Sequence, residues 1–152
     1  MLAVVLLVSG TVACDGPEPS AGPGAPAEEN GIVSLINERR AQAGCPALTA
    51  DERLTAAARR HAADMRDRGV RDHTGSDGST AQRRIADAGF TPATATGEIL
   101  YWSEGAADAG AAVAAWMDSP AHRDVIGTCR FTHAGAGVVT PGYAAVVDFA
   151  AH

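Results

Sequence analysis

Two histidines and one glutamate stand in short segments rich in turn-forming residues. His73 lies in His73-Thr74-Gly75-Ser76-Asp77-Gly78-Ser79-Thr80, Glu98 in Gly97-Glu98-Ile99, and His122 in Ser119-Pro120-Ala121-His122-Arg123. Gly, Ser and Pro bend the chain and let such side chains converge on one cleft. Imidazoles with an ordinary pKa of about 6.5 are partly neutral near pH 7, so they can ligate a metal or move a proton. Three chemistries are open to this set. His73, His122 and Glu98 can ligate zinc or another divalent metal with a position left for water. They can act in general acid-base catalysis. They can also form a hydrogen-bonded network that only ties loops to a sheet, because buried polar groups need partners. A nucleophile is harder to find. No Gly-x-Ser-x-Gly elbow occurs to support Ser119, and Gly75-Ser76-Asp77-Gly78-Ser79 has neither the lysine nor the preceding strand of a phosphate cradle.

The elements that must position these residues follow from apolar spacing and caps. Ile32, Val33, Leu35 and Ile36 carry helical spacing that stops at Gly44-Cys45-Pro46. Thr49-Ala50-Asp51-Glu52 reads as a capping box, with Thr49 at the N-cap, opening a second helix to Gly69 whose buried stripe is Leu54, Ala57, Ala58, His61 and Met65. His61 on that face is expected to be a hydrogen-bonded core histidine. A second box, Ser79-Thr80-Ala81-Gln82, opens a short helix through Ile85 that stops at Gly89, so His73 sits in the loop between helices. Phe90 to Trp102 reads as extended, with Glu98 near its middle. Ala109, Ala112, Val113 and Trp116 form one face of a helix that Ser119-Pro120 ends, just before His122. Phe131–Val139 and Tyr143–Phe149 flank Thr140-Pro141-Gly142 as a closing antiparallel hairpin. Ser76 and Asp77 are expected to orient the loop carrying His73, and Arg123 to pair with Asp124 or Asp118. Asp148, His133 and His152 suggest no chemistry, and Glu104 precedes the fourth helix.

Three regions are expected: a leader over 1–14, a flexible Pro/Gly/Ala-rich spacer over 15–30, and one domain over 31–152, since 152 residues suffice for one core. The net charge of −6 is misleading, because Asp15, Glu18, Glu28 and Glu29 fall in the leader and spacer. The remaining 14 acids face 12 scattered arginines and no lysine. That balance leaves no electrostatic footprint for nucleic acid. Met1–Val8 is too short to span a bilayer and leads through small residues to Cys14, as a secretory or lipoprotein signal does. The lipobox is imperfect at Thr11, and the missing basic n-region points to a start upstream of Met1. A lipidated Cys14 would tether the protein, and cleavage after Ala13 would release it. Cys45 and Cys129 are then an even pair in an exported domain, so they are expected to form a disulfide in preference to supplying a nucleophile. Its loop of about 84 residues corresponds to a closure term on the order of 4 kcal/mol.

In this order and spacing, the segments around His73, Glu98 and His122 resemble the CAP superfamily of cysteine-rich secretory proteins, antigen 5 and pathogenesis-related proteins, in its compact bacterial SCP-like branch. The resemblance runs from about Ile32 to the C-terminus. It implies an α+β fold, a three-layer α-β-α sandwich with a central, mainly antiparallel sheet, which the element order also suggests. It also implies a cleft with two histidines and two acids, assigning His73, Glu98 and His122 to three positions. In larger members the second acid follows the tryptophan ending the fourth helix. Here Trp116 is followed by Met117-Asp118, so Asp118 is the nearby acid, and Ile99 replaces the usual Asn after Gly-Glu. The function implied is an exported, monomeric, non-catalytic module binding a lipid, glycan or protein partner, with membrane contact only through an N-terminal anchor. Tyr101, Trp102, Phe90 and Tyr143 are candidates to line an apolar groove or to serve as core. The alternative is a metal-assisted hydrolase of peptides or cell-wall material.

Overall fold

The computed structural model describes residues 24–152. The expected leader, Cys14 and most of the spacer lie outside the described residues. The elements run α1 (Ala25–Gln42), β1 (Thr49–Ala50), α2 (Glu52–Arg68), α3 (Ala81–Asp87), β2 (Ala95–Ser103), α4 (Ala109–Asp118), α5 (Pro120–Ile126), β3 (His133–Val139) and β4 (Tyr143–Ala151). The sheet order is β1-β3-β4-β2, antiparallel except for the short parallel β1–β3 pair.

Alternation along the strands decides what each helix layer covers, because successive side chains point to opposite faces. Ile99, Ala134, Ala136, Val138, Ala145, Val147 and Phe149 pack with Ile32 and Ile36 of α1, Val113 and Trp116 of α4, and Ile126 of α5. On the opposite face, Leu100, Val139 and Val146 meet Ala58, Ala62 and Met65 of α2. Ala150 meets Leu54, Ile85 and Phe90 there. The result is the expected three-layer α-β-α sandwich. Gly135 and Gly137 let α2 lie directly on β3: a Cβ on Gly135 would meet Thr55 N at 2.1 Å, and one on Gly137 would meet Arg59 N at 2.2 Å.

Several local readings shift. The N-cap of α2 is Asp51, whose carboxylate accepts from Arg53 N and Leu54 N, while Thr49 belongs to β1. Backbone pairing of Thr49 and Ala50 with β3 takes those residues out of the helix. The third helix is capped by Thr80 Oγ1, one residue after Ser79. His122 lies on a helix of its own, α5, opened by Pro120, whose fixed φ suits a first helical turn.

The largest difference is at the N-terminus, where α1 begins at Ala25, inside the expected 15–30 spacer. Glu28 and Glu29 are structural. Glu29 is buried, pairs with Arg59 at 2.5 Å and accepts from Val138 N at 3.2 Å. Glu28 accepts from Ala109 N at 2.7 Å and Tyr143 Oη at 3.1 Å, tying α1 to α4 and β4. The Cys45–Cys129 disulfide is formed, with Cα atoms 4.9 Å apart. Beside it, the buried Arg40 guanidinium spans the carbonyls of Pro46, Ile126, Thr128 and Phe131 at 2.8–3.1 Å and so anchors the end of α5. Among the described residues no helix is long and apolar enough to cross a membrane.

Candidate functional site

β2 is an edge strand, and its open side carries the cleft. The loop between α2 and α3 supplies Arg71, Asp72 and His73 on one flank. The α4–α5 corner supplies Ala115, Trp116, Ser119 and His122 on the other, and Leu100, Tyr101 and Trp102 of β2 form the floor. The volume is about 400 Å³. Trp116 Nε1–H donates to the carbonyl of Leu100 at 2.8 Å, which locks α4 against β2 and fixes the approach of α5.

The loop bearing His73 is pinned from several sides. Asp64 of α2 accepts from both the backbone N–H and the hydroxyl of Ser76, at 2.7 and 2.6 Å. Asp77 caps Ser79 N and pairs with Arg60, so Ser76 and Asp77 do orient this loop. Burial pulls the Asp64 carboxyl up, but its bonds to Ser76 and Arg68 together outweigh that and leave it below the usual range; Asp77 is held below it too, most by its contact with Ser79. The carbonyl of Asp72 lies 2.9 Å from His61 Nε2. Burial depresses the His61 imidazole below its ordinary value, as suits the expected core histidine. Arg84 donates to the carbonyl of His73 at 3.0 Å.

Glu98 is the junction of this network. His73 Nδ1 lies 2.8 Å from Glu98 Oε1, and Arg84 Nη2 donates to Glu98 Oε2 at 2.6 Å. Both Glu98 and Arg84 are buried, whereas the His73 side chain is 57% exposed. A carboxylate on Nδ1 directs Nε2 outward, as outer-shell acids orient ligating histidines. His122 shares the cleft; burial, then the neighbouring His73, lowers its affinity for a proton. Its Nδ1 is buried with no hydrogen-bond partner among the described residues.

Beneath Glu98 lies a carboxyl whose part in the network the sequence did not reveal. Asp148 pairs in register with Glu98 across β2 and β4, is fully buried, and has no hydrogen-bond donor to either oxygen among the described residues. Burial first, then the charge of Glu98, push its pKa well above the ordinary range. A protonated Asp148 is itself the donor that Glu98 can accept. The one sequence signal was a charge inside the apolar run Val146-Val147-Asp148-Phe149. Arg84 gave none, because its partner Glu98 lies 14 residues away on another element.

The cleft thus gathers His73 and His122 and braces the first with Glu98, but it does not gather Asp118. That residue is exposed at the end of α4 and absent from the cleft lining. Arg123 donates to the Met117 carbonyl at 2.9 Å in place of Asp118 or Asp124. Tyr101 and Trp102 line the cleft, whereas Phe90 and Tyr143 are core. Glu104 is exposed opposite Arg71. As a metal centre the donor set fits poorly. The Glu98 side chain is buried outside the cleft lining, and among the described residues no three His, Cys, Asp or Glu side chains are placed to share an ion.

Fold and site define a small disulfide-linked α-β-α domain with a two-histidine cleft on an edge strand. The sequence model of the CAP, or cysteine-rich secretory protein, family matches residues 33–149, and the chain belongs to this family. It is 34% identical over 116 residues to the uncharacterized protein YkwD of Bacillus subtilis (strain 168), covering 76% of this chain and 44% of that protein. An extracellular protein containing an SCP domain from Bacillus anthracis str. Ames superposes with a TM-score of 0.77 at 22% identity, over 95% of this chain and 45% of that one. An outer surface protein from Borrelia burgdorferi gives 0.70 at 24% identity, over 78% of this chain and 88% of that one. The chain spans less than half the length of the Bacillus relatives.

Proposed function

We propose that this chain is an exported, non-catalytic binding module of the bacterial cell envelope, taking its ligand in the cleft between His73 and His122. The observation that carries the reading is the fate of Glu98. A general base or metal ligand must reach the substrate, and the Glu98 side chain, 2% exposed, lies outside the cleft lining with one oxygen on His73 and the other on Arg84. Glu98 then sets the ring orientation of His73, and the two imidazoles present polar edges beside Tyr101 and Trp102. Few polar groups above an apolar floor is the usual constitution of a small-ligand site. Export is supported by the apolar leader, by the disulfide, which persists in oxidising compartments, and by the extracellular and outer-surface descriptions of the structural relatives. An anchor at Cys14 would hold the domain at the membrane surface.

Co-sedimentation of the protein with isolated bacterial cell wall and, separately, with phospholipid vesicles tests the reading. Saturable sedimentation that falls at least about tenfold in affinity in His122→Gln is expected. Sedimentation indifferent to His73→Gln and His122→Gln would remove the cleft from the account.

A further inference from the structure

Trp102 is the exposed large hydrophobic side chain among the described residues, with 45% of its surface open. A lone surface tryptophan means little by itself. This one is braced: the Arg71 guanidinium lies over its ring, 5.4 Å from the centroid. Arg71 is fixed there by bonds to the carbonyls of Met65 and Val70 at 2.8 and 2.9 Å. It also faces Glu104 at 3.7 Å.

Trp102 and Arg71 also line two hollows at once. One is the cleft already described. The other, of about 230 Å³, is bounded by Arg66, Ser103, Glu104, Pro141, Gly142, Tyr143 and Ala144. The two hollows have only Trp102 and Arg71 in common, so a ligand occupying both must pass over this pair. An indole matches the flat C–H face of a pyranose ring, and the guanidinium, carboxylate, hydroxyl and imidazole groups around it match sugar hydroxyls. Charge narrows the class further. Arg66 and Arg71 are balanced by Asp72 and Glu104 along the groove, and Arg66 is also paired with Asp67, so nothing selects an anion. In the second hollow an acyl chain would meet the charges of Arg66, Arg71 and Glu104 beside Pro141, Tyr143 and Ala144, a mixed lining that suits a polar ligand with apolar faces better than a wholly apolar one.

The geometry points to a linear, neutral oligosaccharide as the ligand, with one unit stacked on Trp102 and its neighbours in the flanking hollows. This rests on the cleft being a binding site and names its ligand class. The probe is the tetramer of β-1,4-linked N-acetylglucosamine, whose equatorial substituents leave C–H faces for stacking, with cellotetraose and monomeric N-acetylglucosamine alongside. Intrinsic fluorescence reads Trp102 together with Trp116, which also lines the cleft, so the part of the change that Trp102→Ala loses is the part that belongs to Trp102. A saturable change with a tetramer, at least about tenfold weaker for the monomer and about tenfold weaker by calorimetry in Trp102→Ala, is expected. Equal affinity in Trp102→Ala, or no binding of either tetramer at millimolar concentration, overturns the inference. Cell-wall or vesicle sedimentation that still depends on His122 would then leave the cleft reading standing without the saccharide.

Discussion

Replacing Asp148 by Asn probes the least expected part of the site. Asp148 is fully buried beside Glu98 and has no donor to either oxygen among the described residues, and burial, then the neighbouring charge, raise its pKa well above the ordinary value in the folded state. Unfolded, it ionises near the ordinary value of about 3.9. With the folded pKa raised, its contribution to stability is complete below about pH 3.9. It is lost as pH rises toward the folded value, at about 1.4 kcal/mol per pH unit. Asn cannot ionise and still offers Glu98 an N–H, so the variant lacks this decline. His61 and His122, whose pKa values burial lowers, act oppositely, gaining stability as pH rises from their folded values up to about 6.5; both proteins share them, so the difference isolates Asp148. Urea unfolding of both proteins from pH 5 to 8 measures it. The Asn variant should gain on wild type by up to about 1.4 kcal/mol per pH unit, levelling off once Asp148 ionises in the folded state. A pH-independent difference with wild type always the more stable would refute the reasoning, because Asp148 would then be ionised in the native protein.

Arg84→Met should cost about 3–5 kcal/mol in urea unfolding by leaving Glu98 buried without its cation, far more than an exposed pair such as Arg83–Asp87. A chain starting at Gly31 lacks Glu28 and Glu29 and loses their bonds to Arg59, Tyr143 and the N-terminus of α4, so it should melt well below one starting at Gly24 by calorimetry. Gly137→Ala drives a Cβ into the α2 backbone at Arg59 and should destabilise by about 3 kcal/mol or more, seen as a lower urea midpoint. Reduction of Cys45–Cys129 should lower stability by about 2–4 kcal/mol in the same assay.

What was legible in the sequence is what short-range pattern encodes. Ala109, Ala112, Val113 and Trp116 repeat at helical spacing, and all four are buried on the inner face of α4. Gly69 marked the end of α2 because a left-handed φ of 67° suits glycine. His73, Glu98 and His122 were visible because their segments keep a recognisable order and spacing. What was hidden depends on partners distant in sequence. Glu28 and Glu29 looked like spacer acids because their partners lie 30 to 115 residues away. Asp118 looked like a cleft acid through proximity to Trp116 alone, but the end of α4 carries it to solvent. Arg84 and Asp148 reach Glu98 only when α3 packs on β2 and β4 pairs with it.

The most direct test of a cleft that binds without turnover is to incubate isolated cell wall with stoichiometric wild-type protein and analyse the soluble phase by mass spectrometry. His73→Gln, at an exposed position, is run alongside. The account predicts wild-type protein retained on the wall, weaker retention of the variant, and the same soluble products as wall alone. Soluble wall fragments that wild type releases and His73→Gln does not would contradict it and make the site an enzyme.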